Sequence, residues 1–417
     1  MKKLIGIIAF SVSAFALSAQ ESKPSIEVHG FVRNYYAIDS HEMVALTEDF
    51  FTYVPKDGDR YEYVNVRFAA LTSRIWVEAK GYEVDGIKMG ARIEADFYNG
   101  LGADKVTGTA NLRLRQAFVT LSKGNWNLKA GQAWHPLAVD QPDIFSLNAG
   151  APFNPFSRTP LVQYEYKVTP AIGLTAYAIW QMQYASSGPA GKSASYIKWG
   201  NTPEFYAGVN VVSGNLLMRF GLNVLSIKPR LYDATGNFTS DRITTMTPFL
   251  YAQWKKDAFS VKFKSLFAEA GEHINLNGGY GISAVNPDGS YEYTPSRNSS
   301  SWLSLKYAPG KVDFILYGGY VKNFGTKKAL VMPAGATQES DYYWFSGNSF
   351  SNLNSMYRLT PTVVYNLGKL ALGLEYELTS VEYGDKAQGL SLDSGLYEKG
   401  LHWVTNHRLK GMIKFTF

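Results

Sequence analysis

The residues best suited to set up a field of fixed charges cluster between Asn111 and Pro160. Arg113 and Arg115 stand two apart in NLRLRQAFVTLSK, so an extended strand points both side chains to one face. The opposite face carries Leu112, Leu114 and, after a parity step, Phe118. Gly124-Asn125 turns the chain, WNLKAGQAWHP runs back, and a long loop over 136–159 then supplies Asp140, Asp143 and Arg158. Pro136, Pro142, Pro152 and Pro155 restrict that loop's backbone and stiffen it. Arg74 and Arg92 lie on the charged faces of two earlier strands. Neighbouring strands sit about 4.8 Å apart, so the four arginines can form one positive column. Facing Asp140 and Asp143 across a narrow opening, such a column makes a transverse field that orients dipolar solutes and disfavours apolar ones. The plainer alternative is solvated wall for the arginines and an outer cap for the loop.

Other chemistry finds little support. The six histidines (His29, His41, His135, His273, His402, His407) show neither H-x-x-H nor H-E-x-x-H spacing, so no metal site or cofactor is expected. There is no G-x-S-x-G elbow and no cysteine, which removes the commonest nucleophile signatures; a barrel enzyme lacks a recognisable His/Asp/Ser set. Ser186 to Ser193, SSGPAGKS, imitates a phosphate-binding loop, but Ser186 replaces its first glycine and no helix is expected to follow. Tyr342-Tyr343-Trp344-Phe345 reads as loop packing or membrane girdle before it reads as a sugar platform.

The elements that must carry the arginines alternate with period two. Around Asp85-Gly86, a tight-turn signal, Ile75, Val77, Ala79, Ile87, Met89, Ala91 and Ile93 take one face. Arg74, Trp76, Glu78, Lys80, Lys88, Arg92, Glu94 and Asp96 take the other. Ile26, Val28 and Val32 oppose Glu27, His29 and Arg33; Leu370 to Leu378 and Leu409 to Phe417 repeat the pattern. Short turns fall near Asp85-Gly86, Gly124-Asn125, Thr169-Pro170, Gly214-Asn215, Lys256-Asp257, Pro309-Gly310 and Leu367-Gly368. Long loops separate them at 40–70, 99–110, 136–159, 184–203, 228–241, 271–297, 323–350 and 382–400. This alternation implies about 16 strands of about 10 residues, within the range of outer-membrane barrels. An Arg or Lys facing lipid at mid-depth costs roughly 2–4 kcal/mol, so the charged face must line a wet lumen. The expected fold is all-β: a transmembrane antiparallel β-barrel with short periplasmic turns and long extracellular loops.

Composition agrees. The chain of 417 residues holds 28 Tyr, 24 Phe, 9 Trp and 38 Gly, and its net charge of +6 is dispersed, without a block suited to nucleic acid. The mean hydropathy of -0.16 excludes a bundle of membrane helices. Residues 1–19 read as a signal peptide, with Lys2 and Lys3, an apolar run from Leu4 to Leu17, and cleavage after Leu17-Ser18-Ala19. Residues 20–417 then form one barrel domain in the outer membrane. Expected partners are small hydrophilic solutes and ions, outer-membrane lipid and lipopolysaccharide.

RIEADFY at 92–98, LRLRQAF at 112–118 and AGQAW at 130–134 together resemble the DcaP-type trimeric porins, with their E-x-D-F strand end, R-x-R-x-A strand and GQ-x-W strand leading to a proline-containing loop. The match is specific over about 70–160 and architectural elsewhere; size and leader are also similar to the general porins of Bacteroidota. The resemblance implies a homotrimeric diffusion porin with Arg113 and Arg115 in the lumen near its constriction. One departure is that the family often has an N-terminal coiled coil, whereas only Gln20 to Ser25 precede the first expected strand here. Passive diffusion of small hydrophilic solutes is therefore the expected function. A substrate-specific channel for dicarboxylates, phosphate or oligosaccharides is the alternative, and a structural barrel anchor or adhesin a third.

Overall fold

Period-two alternation of β-branched, leucine and aromatic residues with polar ones produces strands, and Asp85 (φ 53°) with Gly86 (φ 75°) shows how they are joined: two consecutive left-handed residues turn the chain tightly enough to match strand twist. The computed structural model describes residues 24–45, 51–70, 72–98, 110–146, 149–233, 235–345 and 351–417. The expected signal peptide lies outside them.

In chain order the strands are β1 (Ser25–Asp39), β2 (Met43–Ala45), β3 (Thr52–Pro55), β4 (Asn65–Ala69), β5 (Arg74–Val84), β6 (Ile87–Tyr98) and β7 (Asn111–Lys123). They continue with β8 (Trp126–Trp134), β9 (Arg158–Lys167), β10 (Ile172–Ile179), β11 (Glu204–Ser213), β12 (Leu216–Ile227), β13 (Ile243–Lys256) and β14 (Phe259–Glu269). The last are β15 (Gly279–Val285), β16 (Tyr291–Tyr307), β17 (Val312–Thr326), β18 (Tyr343–Phe345), β19 (Leu353–Leu367), β20 (Leu370–Tyr383) and β21 (His402–Thr416). β4 and β5 are two segments of one stave, since both pair along the same edge of β1. The other edge of β1 meets β21, from Phe31 opposite Thr416 to Asp39 opposite Arg408, and closes a 16-stranded antiparallel barrel. β2 with β3, and β15 with β18, are pairs that lie in the long loops. All seven expected turns fall between consecutive staves.

The faces sort as the alternation requires. Val28 and Leu374 are 59% and 57% exposed on the outer wall, whereas Glu375 and Glu377 are fully buried inside. One expected face is corrected. β6 and β7 slip register between Glu94–Gln116 and Ala95–Leu114, leaving Arg115 as an extra, bulged residue. The bulge turns Phe118 inward, where Lys129 Nζ lies 5.0 Å above its ring.

The inside is far from empty. Leu137, Phe153 and Phe156 from the 135–157 loop, and Tyr53 from β3, join Trp302, Tyr317, Tyr251 and Tyr206 of the inner wall in one buried cluster. The 342–345 segment is loop packing: Tyr343 and Trp344 are buried, with Tyr280 5.3 Å from Trp344.

Candidate functional site

The loop between β8 and β9 is fixed at its root by His135. Leu137 N donates to His135 Nδ1, so the ring proton sits on Nε2 and is donated to Glu204 Oε1 at 3.0 Å. His273, from the loop after β14, places Nδ1 3.1 Å from the Ala270 carbonyl and Nε2 3.0 Å from the same Glu204 oxygen. Both of its nitrogens face acceptors, which requires an imidazolium. Burial works against that charge, but the Glu204 carboxylate outweighs it and raises the His273 pKa above its ordinary value. Asn223 donates to this carboxylate as well, at 2.6 Å.

From there the loop crosses the lumen, anchored by groups of the inner wall. Lys264, fully buried, donates to the carbonyls of Leu137 and Asp140 and to Asn154 Oδ1. Ser304 Oγ accepts from Asp143 N, and Glu375 accepts from Phe145 N at 3.1 Å. Tyr35 OH donates to the Phe145 carbonyl at 2.6 Å, and Lys410 holds Ser146. Arg358 donates to Ala151 O at 3.0 Å, and Ser300 to Phe153 O at 2.6 Å. Gly319 makes room for this return path: a Cβ there would stand 2.7 Å from the Phe153 ring. Phe156 N finally donates to Ile274 O at 2.9 Å. These partners lie mainly on β14, β16 and β19–β21, of which β14 and β16 stand across the barrel from β6 and β7.

What remains open between the loop and β1, β5, β6 and β7 is a cavity of about 230 Å³. Arg33, Arg74, Arg113, Arg115 and Asp96 form its charged side; Gln141, Pro142, Ile144, Phe145, Ser146 and Ala149 form the loop side; Phe51, Thr72, Trp134, Phe156, Gln183 and Tyr184 complete it.

The guanidiniums are held in a ladder. Arg92 Nη1 donates to Glu78 Oε1 at 2.8 Å, and its Nη2 donates to Glu94. Arg115 bridges Glu94 Oε1 at 2.6 Å and Asp96 Oδ2 at 2.7 Å. Arg113 chelates Asp96 through Nε and Nη2 at 2.8 and 2.9 Å, and Arg74 Nη1 reaches Glu94 at 3.3 Å. Bidentate pairing of this kind fixes the plane as well as the position of a guanidinium. Arg33 has no such partner: its Nε donates to Thr72 Oγ1 at 3.3 Å, and among the described residues no carboxylate lies within 4.0 Å. Behind the cavity, buried Arg158 donates to Gln183 Oε1 and stacks 5.0 Å from the Trp134 ring.

Of the expected site residues, Arg74, Arg113 and Arg115 meet at one cavity. Arg92 stands further along the same wall and does not line it. Asp140 and Asp143 do not oppose them. Asp140 pairs with Arg219 Nη1 at 2.7 Å and Asp143 with Lys262 at 2.8 Å. The reason is local competition: Asp96 lies directly across from Arg113 in register, so the arginines of β7 are neutralised by their own sheet. The loop acids are left to the cations of β12 and β14, and the loop face toward the arginines carries no charge. Arg33 was legible as a lumen residue by parity, but only closure of β1 beside β5 brings it to this wall. Nothing local in the sequence marks Gln183 or Tyr184.

No protein-family model matches the chain, and no curated protein matches it. Solved structures do. The outer membrane channel DcaP of Acinetobacter baumannii superposes with a TM-score of 0.68 at 16% identity, covering 96% of this chain and 100% of that one. An anion-selective porin from Comamonas acidovorans gives 0.53 at 12% identity, covering 95% and 100%. OmpT of Vibrio cholerae, in a trimer form, gives 0.52 at 11% identity, covering 94% and 99%. At these identities the likeness is one of fold. The chain thus has the fold of the outer-membrane porins, a 16-stranded barrel of the DcaP type.

Proposed function

We propose that this barrel is a passive, water-filled diffusion channel for small hydrophilic solutes, with the 135–157 loop as its constriction and a preference for anions. The observation that carries the reading is the cavity bounded by Arg33, Arg74, Arg113 and Arg115 and by an uncharged loop face. Four guanidiniums against the two carboxylates Glu94 and Asp96 leave an excess of two positive charges along this wall. In a narrow, partly desolvated passage, an excess of that size favours anions and disfavours cations. The fold supports the reading, since channels and porins share it, one of them described as anion-selective. A homotrimer in the outer membrane and a cleaved leader over residues 1–19 belong to the same proposal.

The test is a reversal potential in a salt gradient across a planar bilayer. Anion preference is expected, and an Arg113→Ser, Arg115→Ser double variant is expected to reduce it. A cation-selective wild type overturns the reading, and unchanged currents in the variant return these arginines to ordinary wall. The convergence of guanidiniums at one point also favours a second reading, a channel specific for dicarboxylates, phosphate or another oxyanionic solute. Liposome swelling separates the two: a general pore follows solute size, whereas a specific one saturates.

A further inference from the structure

Near the periplasmic end of the lumen, β1 and β5 bring together Glu27, His29 and Glu78, whose ligand atoms all lie within 4.8 Å of one another. Strand geometry accounts for the grouping. Glu27 and His29 are two apart on the inner face of β1, and Glu27 stands directly opposite Glu78 in the pairing of β1 with β5. His29 is opposite Trp76, whose indole stacks on the imidazole at 5.4 Å and limits its rotation. Two carboxylates directly opposite one another repel and destabilise the pair unless a cation lies between them. Here that cation is the Lys80 ammonium, 2.9 Å from Glu27 Oε2 and 2.7 Å from Glu78 Oε2. The same Glu27 oxygen is 3.2 Å from His29 Nε2. Arg92 occupies the other oxygen of Glu78, so Oε2 is the one turned to the shared position. Lys80 therefore marks a point where positive charge is stabilised by two carboxylate oxygens beside an imidazole nitrogen. Its own side chain is 51% exposed on a flexible stem, so it can leave.

We propose that Glu27, His29 and Glu78 form a binding site for a borderline divalent cation of the Zn²⁺ class, which exchanges with the Lys80 ammonium. One nitrogen and two carboxylate oxygens are a donor set that Zn²⁺ takes readily at about 2.0–2.2 Å, leaving a fourth position for lumen water. Ligand atoms in such a tetrahedron stand roughly 3.4 Å apart, a contraction that partly exposed side chains reach by small rotations. Hard cations such as Ca²⁺ gather six or more oxygens and gain little from an imidazole. The site adds two positive charges to the wall that carries the arginine ladder. It stands on ligand geometry alone and is independent of the channel's solute preference.

The test uses the full chain, purified in detergent, with ZnCl₂ titrated at pH 7.5 by isothermal calorimetry. One saturable site per chain is expected. His29→Gln is expected to weaken it at least tenfold, and Glu78→Gln, which keeps the shape of the side chain, to do the same. Lys80→Met, which removes the competing ammonium, is expected to tighten it about tenfold. Absence of saturable binding in the wild type overturns the proposal. So does an affinity unchanged by both His29→Gln and Glu78→Gln, because the metal would then lie elsewhere, and so does stronger binding of Ca²⁺ than of Zn²⁺.

Discussion

Replacing Lys264 with methionine tests how the lumen loop is held. The ammonium donates three hydrogen bonds, to Leu137 O, Asp140 O and Asn154 Oδ1, from a fully buried position with no carboxylate among those acceptors. Methionine keeps the length and apolar stem and removes all three. Asn154 Oδ1 retains the Trp302 Nε1 donor at 3.0 Å, so two backbone carbonyls are left unpaired. Each buried orphan costs about 1–3 kcal/mol, or about 2–6 kcal/mol together. Part is recovered because an ammonium no longer has to be buried, a penalty of several kcal/mol per ion in an isolated case. A net loss of about 1–4 kcal/mol in loop seating raises the share of unseated loop roughly 5- to 700-fold, at 1.4 kcal/mol per factor of ten. Arg358, Ser300, Ser304 and Glu375 still hold the loop, so the variant is expected to insert and assemble normally. Single-channel records should show frequent sub-states and open-level noise absent from the wild type. Limited proteolysis should gain cleavage within 136–157. Lys264→Gln, which keeps a donor, should fall between them. Traces as quiet as wild type together with an uncut loop would refute the assignment of Lys264 as the principal tether.

Three further outcomes follow from the geometry. In reversal-potential measurements, Arg113→Ser and Asp96→Asn should be strongly non-additive, because they share a bidentate pair, while Arg113→Ser and Asp140→Asn should add. Additivity in the first pair contradicts the ladder. Gly319→Val drives a side chain into the Phe153 ring and should cost about 1–3 kcal/mol by overpacking, read as a lower unfolding temperature and noisier channels; Gly318→Val on the same strand, with no contact closer than 3.9 Å, is the control. The 271–278 loop should loosen as pH rises. Burial pushes the Glu272 carboxyl up to about 7, above its ordinary 4.5, so the unfolded segment loses its proton first and stability falls between about pH 4.5 and 7. The raised His273 pKa acts in the same direction, with its contribution lost as pH passes above about 6.5 and through the raised value. Hydrogen exchange at these amides, corrected for intrinsic rates, should show greater protection at pH 5 than at pH 8, and Glu272→Gln should flatten the difference.

Much of the barrel could be read from residues alone, because its determinants are local. Alternation of period two, the Asp-Gly and Gly-Asn turns and the prohibition on charge facing lipid decide strand number, register parity and the wet face together. Arg74, Arg113 and Arg115 reached the lumen by that logic. What failed was the identity of their partners. Asp140 and Asp143 were the acids nearest in a suggestive loop, yet Glu94 and Asp96, on the adjacent strand and the same face, were closer in space. A cross-strand neighbour at sheet distance outcompetes a loop residue whose position depends on a dozen distant contacts. Arg33 was hidden by closure: β1 becomes the neighbour of β5 only because the barrel ends where it begins. The bulge at Arg115 reversed Phe118, since one extra residue flips every side chain after it.

The ladder on β5, β6 and β7 has a consequence for traffic. Arg92 sits between Glu78 and Glu94, and Arg115 between Glu94 and Asp96, so these guanidiniums already share their protons with carboxylates. On the proposed anion-conducting reading, a travelling anion would meet no empty trap along this ladder. It would displace a resident carboxylate from part of a guanidinium, and that carboxylate would return as the anion moved on. Each step would exchange one charge-assisted hydrogen bond for another, which would keep wells shallow and release fast. Arg33, held by the Thr72 hydroxyl and the Phe31 and Tyr35 rings with no carboxylate within 4.0 Å among the described residues, is on that reading where an anion would be held longest.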